Sequence, residues 1–336
     1  MNVVMIIPTG IGCEIGGHAG DATPAARLLG ACCDKIILHP NVVNASDINE
    51  MPENALYVEG SILDRLLEGK IELQEVKQNK ILVVVSPPVG NHTINAVSAA
   101  RTTLGADIVM LELAHSFVMR ATMENGIASG EVEGWEDLID QVRNKDFEAL
   151  AIATPITVSN EVMIEYFESG GINPIGGVEA RASKLIADVL NKPVAHAPYE
   201  EWRSELWDFN EVVDPRLAAE MVSTCYLHCV LKGLHKAPRI SKNHTGYGMG
   251  LSVKDIDVMV SPYGCYGRPH RACQDARIPI IVVKENTCVN KVWQVNGAVY
   301  VENYIEAAGL LMAMMAGIHP SSVRRPLKMT EVINAD

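Results

Sequence analysis

The sequence has little positive charge and no apolar stretch of membrane-spanning length. Its 28 Lys and Arg residues are scattered and are outnumbered by 41 Asp and Glu residues, which gives a formal net charge of −13. A nucleic-acid-binding surface needs clustered basic side chains, so we expect no nucleic-acid partner. The longest apolar run near the end, Ala307 to Ile318, is too short to cross a bilayer. We expect a cytoplasmic protein that binds a small molecule and no membrane.

The eight cysteines lack the dense spacing of a secreted disulfide scaffold and the paired spacing of a structural zinc site. We therefore expect reduced thiols and assign no metal ligand. Three weaker groups keep a metal-dependent hydrolase open as an alternative function. They are His18 with Asp21, Cys225 with His228 and Cys229, and Cys265 with His270 and Cys273.

A repeated unit takes up most of the chain: an apolar run ending near a proline, then a loop, then a helix with an alanine-rich face. Copies begin near residues 3, 81, 150 and 257. Uninterrupted apolar strands that alternate with helices are typical of parallel sheets covered on both faces. We predict an α/β fold with Rossmann-like parallel sheets built from βαβ units, divided into an N-terminal half, 1–148, and a C-terminal half, 149–336.

The loop of the first unit, residues 9–21, contains five glycines and leads into a helix that begins near Thr23 and Pro24. Glycines allow positive φ angles and let backbone N–H groups approach a ligand, while the dipole of the following helix favours negative charge. The loop therefore predicts a site for a small carboxylate or phosphate. Its expected ligand-binding residues are Gly10, Gly12, Gly16 and Gly17.

A dinucleotide is less favoured as the ligand of this loop. Its glycines at 10, 12 and 16 are spaced one residue wider than G-x-G-x-x-G. In addition, the second strand, 35–38, is followed by His39 instead of the acidic residue that would bind a ribose hydroxyl. We therefore assign no cofactor.

Polar side chains follow other predicted strands at the edge where the carboxyl ends of parallel strands meet. Asn41 and Asn44 come after the second strand. Farther along, a Gly-Gly turn at 176–177 begins a helix in which the Arg181 guanidinium could clamp a carboxylate. The further predicted substrate-binding residues are Asn41, Asn44, Gly176, Gly177 and Arg181.

Thiols and histidines are the candidates for chemistry. Cys13 and Cys265 each follow a strand-ending proline within a glycine loop, an arrangement that two opposed acid–base thiols of an isomerase would have. Whether the two act as a pair stays open. The candidate catalytic residues are Cys265, His39, Asp21 and His92.

These residues predict a non-redox isomerase, lyase or hydrolase that acts on a small anionic metabolite. A metabolite sensor without turnover is the contrasting possibility, and only a cluster of titratable groups at one pocket would separate the two. Methionines 312, 314 and 315 on the C-terminal helix favour core packing or a subunit interface, so we also expect a homo-oligomer.

Several of these segments resemble a family of uncharacterised bacterial and plastid proteins of similar length. The similar segments are 7–12, 16–22, 39–44, 57–60, 63–65, 176–180 and 195–198. The resemblance extends over nearly the whole chain. The family has no assigned activity, so the resemblance implies kinship without chemistry.

Overall fold

The computed structural model describes residues 1–16, 21–43, 50–115, 117–198, 212, 226–241, 250–289 and 294–334. Its largest element is a six-stranded sheet in which every pairing is parallel. The strands, in spatial order, are β15 (Val299–Val301), β14 (Ile280–Thr287), β13 (Val258–Tyr263), β1 (Asn2–Met5), β2 (Lys35–Leu38) and β3 (Ala55–Tyr57).

A second parallel sheet has four strands, in the order β11 (Val194–Pro198), β9 (Ala149–Thr154), β5 (Lys80–Val85) and β6 (Asp107–Glu112). Beside it, β7 (Val118–Glu124) and β8 (Ile127–Glu133) form an antiparallel hairpin, and the short β10 (Ile156–Thr157) pairs with β7. A small ribbon joins β4 (Glu72–Gln74) to β12 (Arg239–Ser241).

Ten α-helices lie in the described part of the chain. They are α1 (Thr23–Gly30), α2 (Pro40–Val43), α3 (Gly60–Leu67), α4 (Asn91–Leu104), α5 (Trp135–Val142), α6 (Asn160–Ser169), α7 (Gly176–Leu190), α8 (Tyr226–His235), α9 (Arg268–Ala276) and α10 (Tyr304–Met315). Two 3₁₀ turns, Val253–Asp255 and Pro320–Val323, complete the helical elements. Among these helices none has the length and apolar character needed to cross a membrane.

Both faces of the parallel strands are buried. Val3 on β1 packs in one apolar cluster and Val4 in another; Ile81 and Leu82 on β5 divide in the same way. Successive side chains of a strand point to opposite faces, so each sheet has a core on either side. Both clusters include residues of the two parallel sheets. The predicted α/β, Rossmann-like class is confirmed.

Strand pairing groups the chain differently from the predicted halves, 1–148 and 149–336. β1 pairs with β13, and β5 pairs with β9, so each parallel sheet contains strands from both sides of residue 148. One sheet is built within 80–198, and the other from 2–57 together with 258–301. Repeated βαβ patterns do not specify which strands become neighbours, so this sharing of the chain between the two sheets could not be predicted from them.

A charged cluster joins α3 to α9 and provides a test of stability. The Arg268 guanidinium donates to Glu68 at 2.6 and 2.8 Å and lies 3.7 Å from the Asp64 carboxylate. Burial nevertheless raises the pKa of Asp64 to about 6, against the lowering effect of Arg268. Ionised Asp64 therefore destabilises the fold progressively as the pH rises from its ordinary pKa through the folded value.

Asp64→Asn is expected to raise the free energy of unfolding by about 1–3 kcal/mol at pH 8 and to leave it nearly unchanged near pH 4. Urea unfolding of both proteins at the two pH values measures this. Asp275→Asn, at an exposed position of α9, is the matched control and should show no comparable gain. An Asp64→Asn effect that is equal at both pH values would contradict the assignment.

Candidate functional site

A cavity of about 130 Å³ opens at the carboxyl ends of β1, β2, β3 and β11. Its walls also include the first turns of α7 and the side chains of Tyr226 and Val230 on α8. Because β3 and β11 are edge strands of different sheets, the cavity lies where the two sheets meet. It has room for roughly ten water molecules. This end of a parallel sheet is where ligands of α/β proteins bind.

The glycine loop forms one wall. Gly10 and Gly12 have φ angles of +82° and +58°, which side-chain-bearing residues rarely adopt. The N–H groups of Glu14 and Ile15 are bound by the Thr287 carbonyl and the Asn286 side chain, at 2.8 Å each. In contrast, the N–H groups of residues 10–13 have no acceptor within the described chain. They remain available to a ligand.

Two predicted site residues fix the shape of this loop. The Asp21 carboxylate accepts the Gly16 N–H, and the Asn41 amide donates to the carbonyls of Ile7 and Gly16, at 3.3 and 3.1 Å. Asn41 and Gly16 line the cavity, whereas Asp21 is outside its lining. Because Asp21 occupies the Gly16 N–H, that donor is not free for an anion. In this structure Asp21 therefore stabilises the conformation of the glycine loop.

His39 lies on the cavity wall as a hydrogen-bond donor. Its Nδ1 accepts the Asn41 N–H at 3.2 Å, and burial lowers its pKa to about 4. A neutral imidazole with an accepting Nδ1 carries its proton on Nε2. That Nε2–H has no acceptor in the described chain, so it can donate to a ligand. With its proton placed in this way, His39 is not poised to accept another.

Glu59 is fixed at the cavity by its own helix. Its Oε2 accepts the N–H groups of Ser61 and Ile62 at 2.9 and 3.3 Å, and the Ser61 hydroxyl at 2.6 Å. Glu59 therefore caps α3. Burial raises the pKa of Glu59 despite these hydrogen bonds. Its Oε1 has no partner in the described chain and is reached from the cavity.

Glu179 and His196 form a pair on the opposite wall. Glu179, in the first turns of α7, lies 2.9 Å from Nδ1 of His196 on β11. Nε2 of His196 lies 3.0 Å from the Thr154 hydroxyl and 3.1 Å from the Thr154 carbonyl oxygen. A ring that donates from Nδ1 to the Glu179 carboxylate can accept the Thr154 hydroxyl at Nε2, so both ring nitrogens have partners.

Other predicted site residues lie away from the cavity. Arg181 is exposed and donates to the Gly130 carbonyl at 2.8 Å, and His92 is exposed in the first turn of α4. Gly12 and Gly176 do line the cavity. Gly177 is outside the lining and packs against β8, where an added Cβ atom would lie 2.1 Å from the Ala128 carbonyl oxygen. Gly17 and Asn44, together with His18, lie outside the described residues.

Cys265 is part of a buried hydrogen-bonded cluster. Its Sγ lies 3.1 Å from both the Ser261 hydroxyl and the Pro262 carbonyl, and 3.8 Å from Nε2 of His270. His270 accepts the Gly267 N–H at Nδ1, so its Nε2 is a donor toward Ser261 and cannot take a proton from the thiol. Burial raises the pKa of Cys265 to about 12. This thiol is protonated at neutral pH and is outside the cavity lining.

Cys13 does line the cavity, yet burial also raises the pKa of its thiol. Of the predicted metal groups, two include His18 and Cys225, which lie outside the described residues. Cys273 points its Sγ toward the sulfur of Met259, 3.7 Å away, and His228 lies 3.3 Å from the Thr103 hydroxyl. Within the residues that the structure describes, no set of three His, Cys, Asp or Glu side chains could hold a metal ion.

His270 makes the fold sensitive to acid. Burial lowers its pKa to about 4, below the ordinary value of 6.5, so the stability it contributes is lost as the pH falls from about 6.5 through 4. Between pH 7.5 and 4.5 the native protein should lose about 2–3 kcal/mol through this group. His270→Gln should show that much less loss, measured by urea unfolding. His319→Gln, at an exposed position, should retain the loss; equal losses in all three proteins would contradict the prediction.

The residues that surround the cavity were only partly visible in the sequence. In the sequence, Glu59 is typical of a residue before a helix and His196 of a packing histidine. Glu179 has no sequence signal apart from the Gly-Gly turn that precedes it. Their positions after strands and at a helix start were the available clue. The hydrogen bond between His196 on β11 and Glu179 on α7 brings two of these side chains together at the cavity, and a sequence pattern does not show that contact.

Parallel Rossmann-like sheets covered on both faces define the molecule as an α/β protein with a polar cavity at the carboxyl edge. The family described as "Protein of unknown function (DUF3326)" matches residues 2–324, and the chain belongs to it. An uncharacterized lipoprotein of Synechococcus sp. is 32% identical over 336 residues, covering 95% of this chain and 92% of the relative. No solved structure matches the chain. The resemblance to an uncharacterised family is confirmed.

Proposed function

We propose that this protein is an enzyme that carries out non-redox acid–base chemistry, of the isomerase, lyase or hydrolase type, on a small polar metabolite bound in the cavity. The observation that carries this proposal is the convergence of Glu59, His39 and the Glu179–His196 pair on one cavity. Paired titratable groups in different environments are the arrangement from which acid and base roles arise.

Each group has a role that its hydrogen bonds favour. Glu179 takes a proton from the ligand at Oε2, because its Oε1 is engaged by Nδ1 of His196. Glu59, whose Oε2 is held by the start of α3, presents Oε1 to a donor group of the ligand. His39 donates from Nε2 to an oxygen of the ligand. The anionic part of the metabolite is bound by the N–H groups of residues 10–13 and of the first turn of α7.

The same convergence separates this proposal from a metabolite sensor, which would bind without needing titratable groups at the ligand. A metal-dependent hydrolase is less favoured, because the described residues do not bring the required ligands together. The enzyme is thus the function that the lining residues support best.

We also propose a cytoplasmic location and a homo-oligomer. Seven cysteines in the described chain are free thiols, as in a reducing compartment. The name of the Synechococcus relative describes that protein as a lipoprotein. Ile305, Met312 and Met315 on α10 are at least half exposed, which favours a contact with a second copy.

The proposal is tested by incubating the protein with a pooled extract of small metabolites and following all masses by liquid chromatography and mass spectrometry. We expect one metabolite to be consumed. An isomerase would give a product of equal mass, a lyase would give two fragments, and a hydrolase would give products whose summed mass exceeds that of the substrate by one water. Glu59→Gln should abolish most of the conversion. Glu136→Gln, at an exposed position of α5, should convert as the native protein does. An extract unchanged by the native protein would favour the sensor.

A further inference from the structure

We propose that the cavity binds a zwitterion of the size of a free amino acid, with its ammonium group held by Glu59 and Glu179 and its carboxylate by His39 and backbone N–H groups. This inference rests on the proposed function and narrows its substrate class. It follows from the charges that line the cavity, from the hydrogen-bonding capacity left unused there, and from the cavity's size.

The first argument is charge. Among the described lining residues there are two glutamates, and neither lysine nor arginine occurs. The histidine beside them, His196, is already engaged by Glu179 and by the hydroxyl and carbonyl of Thr154. A ligand with only negative charge would place that charge next to two carboxylates without a compensating side chain. A ligand that brings its own cation avoids this.

The second argument is the unused acceptors. Glu59 is 8% exposed, and its Oε1 has no partner in the described chain although Oε2 has three donors. Glu179 likewise uses only Oε1, toward His196. Two buried or half-buried carboxylate oxygens that face one cavity require donors, and an ammonium group supplies three of them.

The third argument is the kind of donor available for the anionic group. His39 is neutral and offers one N–H, and the remaining donors are backbone N–H groups of the lining residues Gly10, Gly12, Cys13 and Gly176. Such donors suit the single charge of a carboxylate and are weaker partners for a phosphate dianion, which is typically bound by arginine or lysine. The volume of about 130 Å³ matches a ligand of roughly ten non-hydrogen atoms.

The test uses the complete protein and matched sets of probes. Each set contains a free amino acid, the 2-hydroxy acid that lacks its ammonium group, and the amino alcohol that lacks its carboxylate. Both enantiomers of the protein amino acids are screened by thermal shift at pH 7.5, and those that raise the melting temperature are followed by calorimetry. Inorganic phosphate and MgCl₂ are included as separate probes.

We expect at least one amino acid to bind, with its hydroxy acid and its amino alcohol each at least about 10-fold weaker. Glu59→Gln and Glu179→Gln should each weaken the amino acid by about 10- to 100-fold. Glu136→Gln should leave its affinity unchanged. Comparison of the three probes on the native protein keeps the test valid even if one glutamine variant does not fold.

Three outcomes would overturn the inference: a hydroxy acid or phosphate that binds as tightly as the amino acid, MgCl₂ as the only stabilising probe, or a panel in which no amino acid binds. None of these removes the proposed function if the metabolite extract is still converted. Conversely, an amino acid that binds as predicted but is not turned over supports the zwitterion site and counts against the enzyme. The two proposals therefore fail in distinguishable ways.

Discussion

Gly177→Ala is expected to lower the free energy of unfolding by about 3 kcal/mol or more. A Cβ atom at 177 would lie 2.1 Å from the carbonyl oxygen and 2.4 Å from the carbonyl carbon of Ala128 on β8. Both are backbone atoms and cannot rotate away. Either α7 or the β7–β8 hairpin must therefore move, and α7 carries Glu179 into the cavity.

The matched control is Gly309→Ala on α10, where a Cβ atom would meet nothing within 4 Å. Alanine has the higher helix propensity, so this variant should gain up to about 1 kcal/mol. Urea unfolding of the native protein and the two variants gives the comparison. A Gly177→Ala protein as stable as the native one would mean that α7 does not approach β8 this closely.

Glu179→Gln should lower kcat/KM for the metabolite identified in the extract by about 10²–10⁴-fold. Glutamine keeps the shape of the side chain and a hydrogen bond to His196, but it does not accept a proton and carries no negative charge. Because proton transfer is the role assigned to this carboxylate, kcat should fall much more than the affinity for substrate changes.

A pH profile distinguishes this role from a structural one. If this carboxylate transfers the proton, the pH profile of kcat should differ in shape between Glu179→Gln and the native enzyme. Glu179→Asp, which retains a shorter carboxylate, should recover part of the activity. A glutamine variant with native kcat and an unchanged pH profile would remove Glu179 from the mechanism.

The local elements were predictable because their signal is local. β2 begins and ends at the predicted residues, 35–38, since an uninterrupted apolar run bounded by turns specifies a buried strand. The β7–β8 hairpin was not predicted, although its Asn125-Gly126 turn with two positive φ angles is a known hairpin signal. Its exposed, charged residues lack the apolar run that marked the parallel strands.

The site was predictable only as a region. The loops after β1 and β2 do line the cavity, because strand carboxyl ends converge in a parallel sheet. Side-chain direction was not predictable to the same degree. Glu179, Ala180 and Ser183 face the cavity, whereas Arg181 lies on another side of the same helix. Asp21 and Asn41 were predicted as a catalytic and a substrate-binding residue, and in the structure their hydrogen bonds go to the backbone of the glycine loop.

The pairing of β1 with β13 also sets an order of events during translation. Val3 pairs with Val258, whereas all four strands of the other parallel sheet lie within 80–198. At about 5–20 residues per second, β1–β3 leave the ribosome on the order of ten seconds or more before β13 is made. The four-stranded sheet can thus close while β1, already paired with β2, still lacks β13 as its second neighbour. The described lining of the cavity ends at Val230, so all of these lining residues are made before the six-stranded sheet can be completed.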